Sequence, residues 1–389
     1  MQQKLLLAIG ITATLFASCK KDDDNNPIIA QKVPYTSLTP TTSYFNTFRG
    51  ADSNTTVDFS GQTTRISMLA EMDAYMKTGI NSEVKAAQLK DMFVHQNSPF
   101  NAAALNAASD KTIASKTAAS FSTVDANAER TRFNSWFDAI AGASLSNNQT
   151  AAMGNAGLLD GKYLVDAKGF EYGQFIQKGL MGAMMLDQIS NVYLGNEKMS
   201  ADNKAIVSGK NYTQMEHHWD EAYGYLTKND YFPKKDRNDA TKWLESYLGN
   251  YVRQVNGVYG DPAAVYMAFL KGRAAIVNSD MTTRNEQISI IRQSLEKAVA
   301  TIGISYLNKT KTATSDGARF HSLSEGVGFI YSLRFAHDAK INKTLSDELL
   351  NMLMNKPNGF WDLTNADIDA VRNQIADALG INREAVVNH

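Results

Sequence analysis

The chain has 389 residues, with 39 basic and 40 acidic side chains and a formal net charge of −1. This balance provides no electrostatic footprint for nucleic acid, which excludes the classes of protein that bind DNA or RNA. The chain has a single cysteine, Cys19, which excludes internal disulfides, zinc sites built from thiolates and a CxxC redox pair.

The first 18 residues have the pattern of an export signal. Lys4 is followed by an apolar run over residues 5–16, which has the length of a signal-peptide core and is too short to cross a bilayer. Two small residues then precede Cys19, and residues 15–19, Leu-Phe-Ala-Ser-Cys, resemble a bacterial lipobox. We therefore expect cleavage before Cys19.

The position of Cys19 at the end of this signal favours a lipid anchor over a core residue or a nucleophile. Acylation of its thiol and of the new N-terminus would hold the protein stably on a membrane. We predict an extracytoplasmic lipoprotein at the outer membrane, with a net charge of about −2 after the loss of Lys4. The charged run that follows, residues 20–24, is either a solvated tether or a label that resembles the export signal of surface-exposed lipoproteins in some Gram-negative bacteria.

The remaining chain divides into a tether and a helical domain. Residues 19–40 are predicted to form a flexible tether, because they are rich in Thr, Ser, Asn and Pro. Residues 41–389 are predicted to form the helical domain. Aromatic side chains alternate with polar ones in residues 35–60, which predicts a short strand or a docked arm.

Helix signals dominate after this segment. No proline occurs in residues 100–232 or 263–356, and proline costs about 3 kcal/mol in a helix interior, so these stretches favour long helices. Thr213 with Glu216 is a capping box, and residues 162–170 are predicted to be a loop or a short hairpin. Apolar spacing predicts helices over residues 66–76, 84–95, 124–142, 171–193, 213–228, 238–255, 262–278, 283–302, 316–338, 344–354 and 364–379. The predicted fold is therefore all-α, a helical bundle.

Two segments of this bundle share a pattern. Residues 217–226 and 321–330 both read His-x-x-x-Glu-x-x-Gly-aromatic-aliphatic. A Lys-Gly pair precedes each of them, at residues 178–179 and 271–272. We interpret the pattern as a duplicated helical unit, with halves at about 60–232 and 233–389.

The spacing in the pattern places an imidazole and a carboxylate on one helix face. His217 with Glu221, and His321 with Glu325, are therefore candidate ligands for a divalent metal such as iron or zinc. Four ligands converge if the two halves pack together, and His218 forms an alternative pair with Glu221. Further candidate ligands are Glu171 and Asp220. The same residues are also typical of hydrogen-bonded core pairs, or of a polar ligand pocket or interface.

Four segments resemble an uncharacterised family of bacterial lipoproteins that is similar to the imelysin-like proteins. They are Gly169–Glu171, Lys178–Ala183, Glu216–Tyr225 and His321–Gly326. The resemblance covers roughly residues 35–385, and it implies two similar helical bundle halves and a role in iron uptake. The hallmark of the imelysin-like proteins, Gly-x-His-x-x-Glu, is matched in part by His218 and Glu221, with Glu216 in the place of the glycine.

We therefore expect a lipoprotein that binds a metal or a metal complex in iron acquisition, together with an uptake partner in the outer membrane. The alternative is a protein that binds a nutrient such as a glycan, which requires an exposed aromatic cleft away from the histidines. A third hypothesis, a metal-dependent hydrolase, requires an open coordination position and a general base. The sequence has no His-Glu-x-x-His motif and no nucleophile signature, so we assign no catalytic residue.

Overall fold

A computed structural model describes residues 32–255 and 262–386 of the chain. Helices make up 60% of the structure, which confirms the all-α prediction. Within the described residues the strands β1 (Gly157–Leu159) and β2 (Tyr163–Val165) form one small antiparallel sheet, the hairpin that the sequence predicted as one alternative. The signal peptide and Cys19 lie outside the described residues.

The α-helices are α1 (Tyr44–Thr47), α2 (Ser60–Lys77), α3 (Ala86–Val94), α4 (Ala103–Ala107), α5 (Thr123–Ser144), α6 (Tyr172–Leu180, extended by π-helical turns over Met181–Leu186 and Gln188–Tyr193), α7 (Asn196–Met199), α8 (Gln214–Leu226), α9 (Tyr247–Gln254), α10 (Pro262–Val277), α11 (Met281–Thr312), α12 (Asp316–Leu333), α13 (Lys343–Met354) and α14 (Asn365–Leu379).

Side-chain caps begin several of these helices. The predicted capping box is present at α8, where the Glu216 amide donates to Thr213 Oγ1 (3.3 Å) and the Thr213 amide donates to Glu216 Oε2 (2.7 Å). A second capping box, at Thr364 and Asp367, begins α14. Each box satisfies two backbone donors that a helix start leaves unpaired.

α9 and α11 differ most from their predicted bounds, while α2 begins six residues earlier and α12 ends five residues earlier than predicted. α9 begins at Tyr247 and not at residue 238, because the preceding loop is closed by its own backbone contacts: Lys235 bridges Trp243, and the Leu244 amide donates to the Lys234 carbonyl (2.9 Å). α11 continues to Thr312 and not only to residue 302, because its apolar positions stay buried along that extension.

The segment before α2 is a docked arm. Tyr44 is fully buried, stacks on Tyr223 with 4.0 Å between ring centroids, and donates its hydroxyl to Asp220 Oδ1 (2.9 Å). Contact with the helical domain already begins within residues 19–40, which were predicted to form the tether, since the Val33 amide donates to Asn278 Oδ1 (2.9 Å). The chain is therefore held against the helices from its first described residues.

Five helices pack on one another in a ring. α6 contacts α12, α12 contacts α11, α11 contacts α10, α10 contacts α8, and α8 returns to the π-helical end of α6. π-helical turns occur often at functional sites. Three further helices pack on the ring: α2 on α8, α5 on α6, and α14 on α11.

In the part of the chain that the structure describes, no helix combines the length and the apolar character needed to cross a bilayer.

The two halves of the chain are interleaved in this ring. α6, which carries the first Lys-Gly pair, packs on α12 of the second half, and α10, which carries the second pair, packs near α8 of the first. Gly272 permits the second contact, because a Cβ there would lie 2.1 Å from the Trp219 ring. The helix with each Lys-Gly pair therefore packs on the helix that carries the histidine motif of the other half. The duplication itself stays a prediction.

Candidate functional site

The first histidine motif lies on α8. The His217 ring stacks on Tyr212, with 4.7 Å between centroids and 11° between planes, and its Nε2 is 3.8 Å from Glu221 Oε2, which is too far for a hydrogen bond. Glu221 Oε1 accepts from Gln62 Nε2 (2.9 Å) and from the Tyr193 hydroxyl (3.1 Å). His217 Nδ1 is buried and has no hydrogen-bond partner among the described residues.

The second motif lies on α12 and is bonded more completely. The His321 ring stacks on Tyr163, with 4.6 Å between centroids, and its Nδ1 donates to Glu171 Oε2 (2.6 Å). His321 Nε2 is 3.9 Å from Glu325 Oε2, and Glu325 Oε1 pairs with Lys178 Nζ at 2.7 Å. The sequence named Glu171 as a further ligand, and the structure brings it to His321 as a hydrogen-bond acceptor.

Both motifs have the same kind of cover, which the sequence pattern did not include. Gly161 and Gly209 adopt φ values of +67° and +74° in turns just before the stacking tyrosines, Tyr163 and Tyr212. In each turn the lysine after the glycine lies over the tyrosine ring, at 4.7 Å and 5.5 Å from the centroid. Each histidine is therefore enclosed between its helix and an aromatic ring that is itself covered by a cation.

Two of the predicted ligands have structural roles. His218 Nδ1 donates to the Lys198 carbonyl (3.0 Å) and its Nε2 accepts from Gln214 Nε2 (2.8 Å), so neither nitrogen is free for a metal. Burial lowers the pKa of His218, which agrees with a neutral ring. Asp220 is fully buried and accepts from Arg273 Nε (2.9 Å), so it neutralises a buried guanidinium.

The described residues contain no group of three or more His, Cys, Asp or Glu side chains that could hold a metal ion. In the second motif Glu171 binds His321 and Lys178 binds Glu325, and the four-ligand metal site stays a prediction. In the first motif, His217 Nδ1 and Glu221 Oε2 make no hydrogen bond to any described residue. Asp220 Oδ2 and His321 Nε2 likewise make no hydrogen bond to a described residue, so the free lone pairs of the predicted ligands are divided between the two motifs.

The Lys178–Glu325 pair is buried, with 3% and 7% of the side chains exposed. Burial opposes ionisation of the carboxyl, yet the charge of Lys178 and then that of His321 hold the pKa of Glu325 below its ordinary value. Burial likewise opposes the ammonium, yet Glu325 and then Tyr251 raise the pKa of Lys178 above its ordinary value. Both groups are therefore charged at neutral pH.

A cleft of about 360 Å³ opens beside this ion pair, with walls from α2, α6 and α9. Two of its lining residues are Tyr247 and Tyr251. The Tyr251 hydroxyl lies 3.5 Å from Glu325 Oε1, and the Lys178 ammonium lies 5.3 Å from the Tyr251 ring centroid. The aromatic wall of the cleft is thus supported from behind by the ion pair. Besides the tyrosines, the polar lining residues are Thr63, Ser67, Asp73, Gln177, Lys228, Ser246 and Asn250.

The amphipathic pattern of α9 explains the position of this wall. Leu248 and Val252, four residues apart, are buried in the core. Tyr247, Asn250 and Tyr251 occupy positions i, i+3 and i+4, which share one helix face, and all three line the cleft. The helix therefore has one face for packing and another for the cleft.

Tyr247 also has an unusual backbone conformation. Its φ is +47°, in the left-handed region that favours glycine. A residue held there costs about 1–3 kcal/mol, and such strain persists where the surrounding structure imposes it, often at binding sites. α9 is fixed close to α8, since a Cβ on Gly249 would lie 2.3 Å from the Leu226 carbonyl oxygen.

Comparison with known protein families gives one result. Residues 44–382 match a family described as a domain of unknown function, DUF4856. The chain belongs to this family. The search of curated proteins and the search of solved structures returned no match. The resemblance to the imelysin-like proteins is not confirmed and stays a prediction.

The part of this DUF4856 protein that matches the family begins at Tyr44 of the docked arm and includes both histidine motifs and the cleft. The cleft was not predicted from the sequence. A signal was present, because Tyr247, Asn250 and Tyr251 have helical spacing in a segment predicted to be helical. Their partners Asp73 and Gln177 come from distant parts of the chain, so their convergence depends on tertiary packing.

Proposed function

We propose that this DUF4856 protein is an extracytoplasmic lipoprotein, anchored at the outer membrane through Cys19, that binds a small carbohydrate in the cleft between α2, α6 and α9. The observation that carries the proposal is the wall of Tyr247 and Tyr251 next to the planar polar groups of Asp73 and Gln177. The wall supports nutrient binding because that function needs an aromatic cleft, although this cleft adjoins the second histidine motif through Tyr251 and Glu325.

The chemistry of the lining suits a sugar ring. The C–H faces of a sugar ring are apolar and pack on aromatic rings, while the hydroxyl groups at the edge of the sugar ring need both hydrogen-bond donors and acceptors. Asn250 accepts from Arg253 through Oδ1 (2.7 Å) and keeps its amide donors for a ligand, and Lys228 is exposed. A cleft of about 360 Å³ lies within the usual range for small-molecule sites.

The charges in the cleft favour a neutral ligand. Asp73 is already compensated, since its carboxylate accepts from Lys77 Nζ (2.7 Å) and from Gln177 Nε2 (2.6 Å). A charged ligand would have to compete with these bonds of Asp73. The hydroxyl groups of a neutral ligand can instead form additional hydrogen bonds to the same polar groups. The strained backbone of Tyr247 adds support, because strain retained in a residue that lines a cleft is expected where the residue has a function.

The test is calorimetric titration of the purified protein with the disaccharides maltose, cellobiose, mannobiose and chitobiose. We expect at least one to bind, and Tyr247→Ala to weaken that binding tenfold or more, equivalent to about 1.4 kcal/mol. The matched control is Tyr231→Ala, because Tyr231 is a partly buried tyrosine that does not line the cleft.

Two results would overturn carbohydrate binding in the cleft. One is that none of the four disaccharides binds at up to roughly 10 mM, a concentration well above the weakest affinity of interest here. The other is binding that Tyr247→Ala leaves within twofold of the unmodified protein.

The membrane anchor is tested separately. Cys19→Ser is expected to abolish acyl labelling and to release the protein from the membrane fraction, because the thiol is the attachment point for the lipid. Normal labelling and membrane retention of the variant would contradict the anchor.

The second candidate is binding of a metal or a metal complex in iron acquisition, with an uptake partner in the outer membrane. It is favoured by one observation, the free atoms His217 Nδ1 and Glu221 Oε2 on one helix face. Elemental analysis of the purified protein should then show iron or zinc that is lost in His217→Ala. His321→Ala is the matched control, because His321 is likewise stacked on a tyrosine but lies on α12, in the other motif. Absence of metal, or equal loss in both variants, would exclude this candidate.

A further inference from the structure

A second pocket lies away from the cleft, between α11 and the segment that follows α6. Its volume is about 260 Å³. α11 contributes Arg284, Asn285, Ser289 and Arg292, and the facing segment contributes Asn196 among its polar residues. None of the functions discussed above uses this pocket.

The two arginines are fixed by backbone carbonyls. Arg284 Nη1 donates to the Met199 carbonyl (2.7 Å), and Arg292 donates through Nε to the Ser190 carbonyl (2.9 Å) and through Nη2 to the Leu194 carbonyl (2.9 Å). These bonds hold both guanidinium groups in place. Arg292 Nη1 makes no hydrogen bond to any of the described residues, which leaves its donors available.

Among the described residues neither arginine of the pocket forms an ion pair, and Asp338 acts on Arg292 only as a more distant charge that opposes the lowering of its pKa by burial. No described carboxylate lies within 4.0 Å of the guanidinium nitrogens of Arg284 or Arg292. By contrast, the fully buried Arg273 is paired with Glu216 at 2.7 Å and Asp220 at 2.9 Å. Withdrawing a cation from water without a counter-charge is unfavourable, so a bound anion would stabilise the pocket.

We infer that this pocket binds a tetrahedral oxyanion, a phosphate or sulfate group. Arg292 Nη1 keeps its N–H donors for the oxygens of such a group. Arg284 contributes its positive charge, since its Nε and Nη2 already donate to Asn285 Oδ1 (3.1 and 2.8 Å). Asn285 and Ser289 add polar side chains on the same wall. Burial lowers the pKa of Arg284, and the pKa of Arg292 is lowered by the same cause. An anion between them would offset that effect.

The inference is tested by calorimetric titration of the full chain with inorganic phosphate and with sulfate in a buffer free of both. Ser289→Asp places a negative charge on the exposed rim of the pocket without removing an arginine. We expect phosphate binding that this variant weakens at least tenfold. Ser135→Asp is the matched control, because Ser135 is also an exposed helical serine whose hydroxyl donates to the carbonyl four residues earlier.

A second variant addresses the arginine directly. Arg292→Gln should also weaken phosphate binding at least tenfold, whereas Arg130→Gln should leave it unchanged, although Arg130 Nε likewise donates to a carbonyl, that of Ala114 (2.9 Å). Circular dichroism of each variant separates lost binding from lost folding. Absence of phosphate and sulfate binding, or binding that Ser289→Asp does not change, would overturn the inference.

The source of the phosphate group is distinguished with vesicles. In a Cys19→Ser background, which removes the anchor, the protein is sedimented with phosphatidylglycerol vesicles and with phosphatidylcholine vesicles. Retention on the anionic vesicles that Ser289→Asp abolishes identifies a lipid headgroup as the ligand. Phosphate binding without such retention identifies a soluble phosphate or phosphate ester, and both results support the anion site.

Discussion

Lys178 of α6 and Glu325 of α12 form a buried ion pair, with 2.7 Å between Nζ and Oε1. The lysine belongs to the first half of the chain and the glutamate to the second, so the pair joins the halves where α6 packs on α12. Ser332 reinforces the same contact, since its hydroxyl donates to the Lys178 carbonyl (2.7 Å). Because Tyr251 contacts both charges, the pair also supports the wall of the cleft.

Removing one partner of this pair should destabilise the fold strongly. Glu325→Leu and Lys178→Met each leave an uncompensated buried charge, so we expect each to lower the free energy of unfolding by about 3–5 kcal/mol. The double variant should be more stable than either single one, since it leaves neither charge. Urea unfolding measures all three. Glu83→Gln, which removes an exposed pair with Lys85, is the control and should have no measurable effect. A double variant as unstable as the sum of the singles would show that the two charges are not coupled.

The Lys178–Glu325 pair should also make the free energy of unfolding depend on pH. The pKa of Glu325 is lowered in the folded protein, so its contribution is fully present above the ordinary glutamate pKa of about 4.3 and is lost as the pH falls towards the folded pKa. The difference in unfolding free energy between the unmodified protein and Glu325→Gln should therefore shrink on acidification below about pH 4.3. Urea unfolding between pH 7 and pH 3 measures this. A difference that stays constant over the range would mean that Glu325 is not held ionised by Lys178.

Gly272 should tolerate no side chain. A Cβ there would lie 2.1 Å from the Trp219 ring, and that ring cannot withdraw because it is fully buried and its Nε1 donates to the Phe269 carbonyl (3.0 Å). We expect Gly272→Ala to cost about 1–3 kcal/mol through overpacking. Gly142→Ala is the control: it is also helical, but a Cβ added there would meet no atom within 4 Å, so the change should stabilise α5 by up to about 1 kcal/mol. Equal effects in thermal unfolding would contradict the close contact of α10 with α8.

Tyr247 allows strain and function to be separated. Tyr247→Gly removes the ring and relieves the positive φ, so we expect it to weaken disaccharide binding without lowering the unfolding midpoint. Tyr247→Ala removes the same ring but keeps a Cβ at φ +47°, and it should be less stable than the glycine variant. Thermal unfolding and calorimetry of the two variants provide the comparison. A glycine variant less stable than the alanine variant would show that the backbone at this position is not strained.

The sequence alone determined most of the local structure of this protein. Apolar spacing, proline-free stretches and the Thr213–Glu216 capping box predicted most helices close to their observed bounds, because these signals depend on neighbours within a few residues. The start of α9 was predicted wrongly, since the loop before it is closed by cross-loop backbone bonds such as Leu244 to Lys234 that helix spacing does not encode. The signal peptide and the anchor at Cys19 are likewise local patterns, and they stay predictions.

Only the tertiary structure decided which distant side chains meet. The sequence paired each histidine with the glutamate four residues later, yet His321 bonds to Glu171 and Glu325 bonds to Lys178, both on elements far away in the chain. The cleft likewise depends on how α2, α6 and α9 pack. The periodicity of apolar residues defines which face of a helix is buried. Which helix packs on that face depends on long-range packing and on the need to neutralise each buried charge, and the residue spacing within one helix contains no information about either.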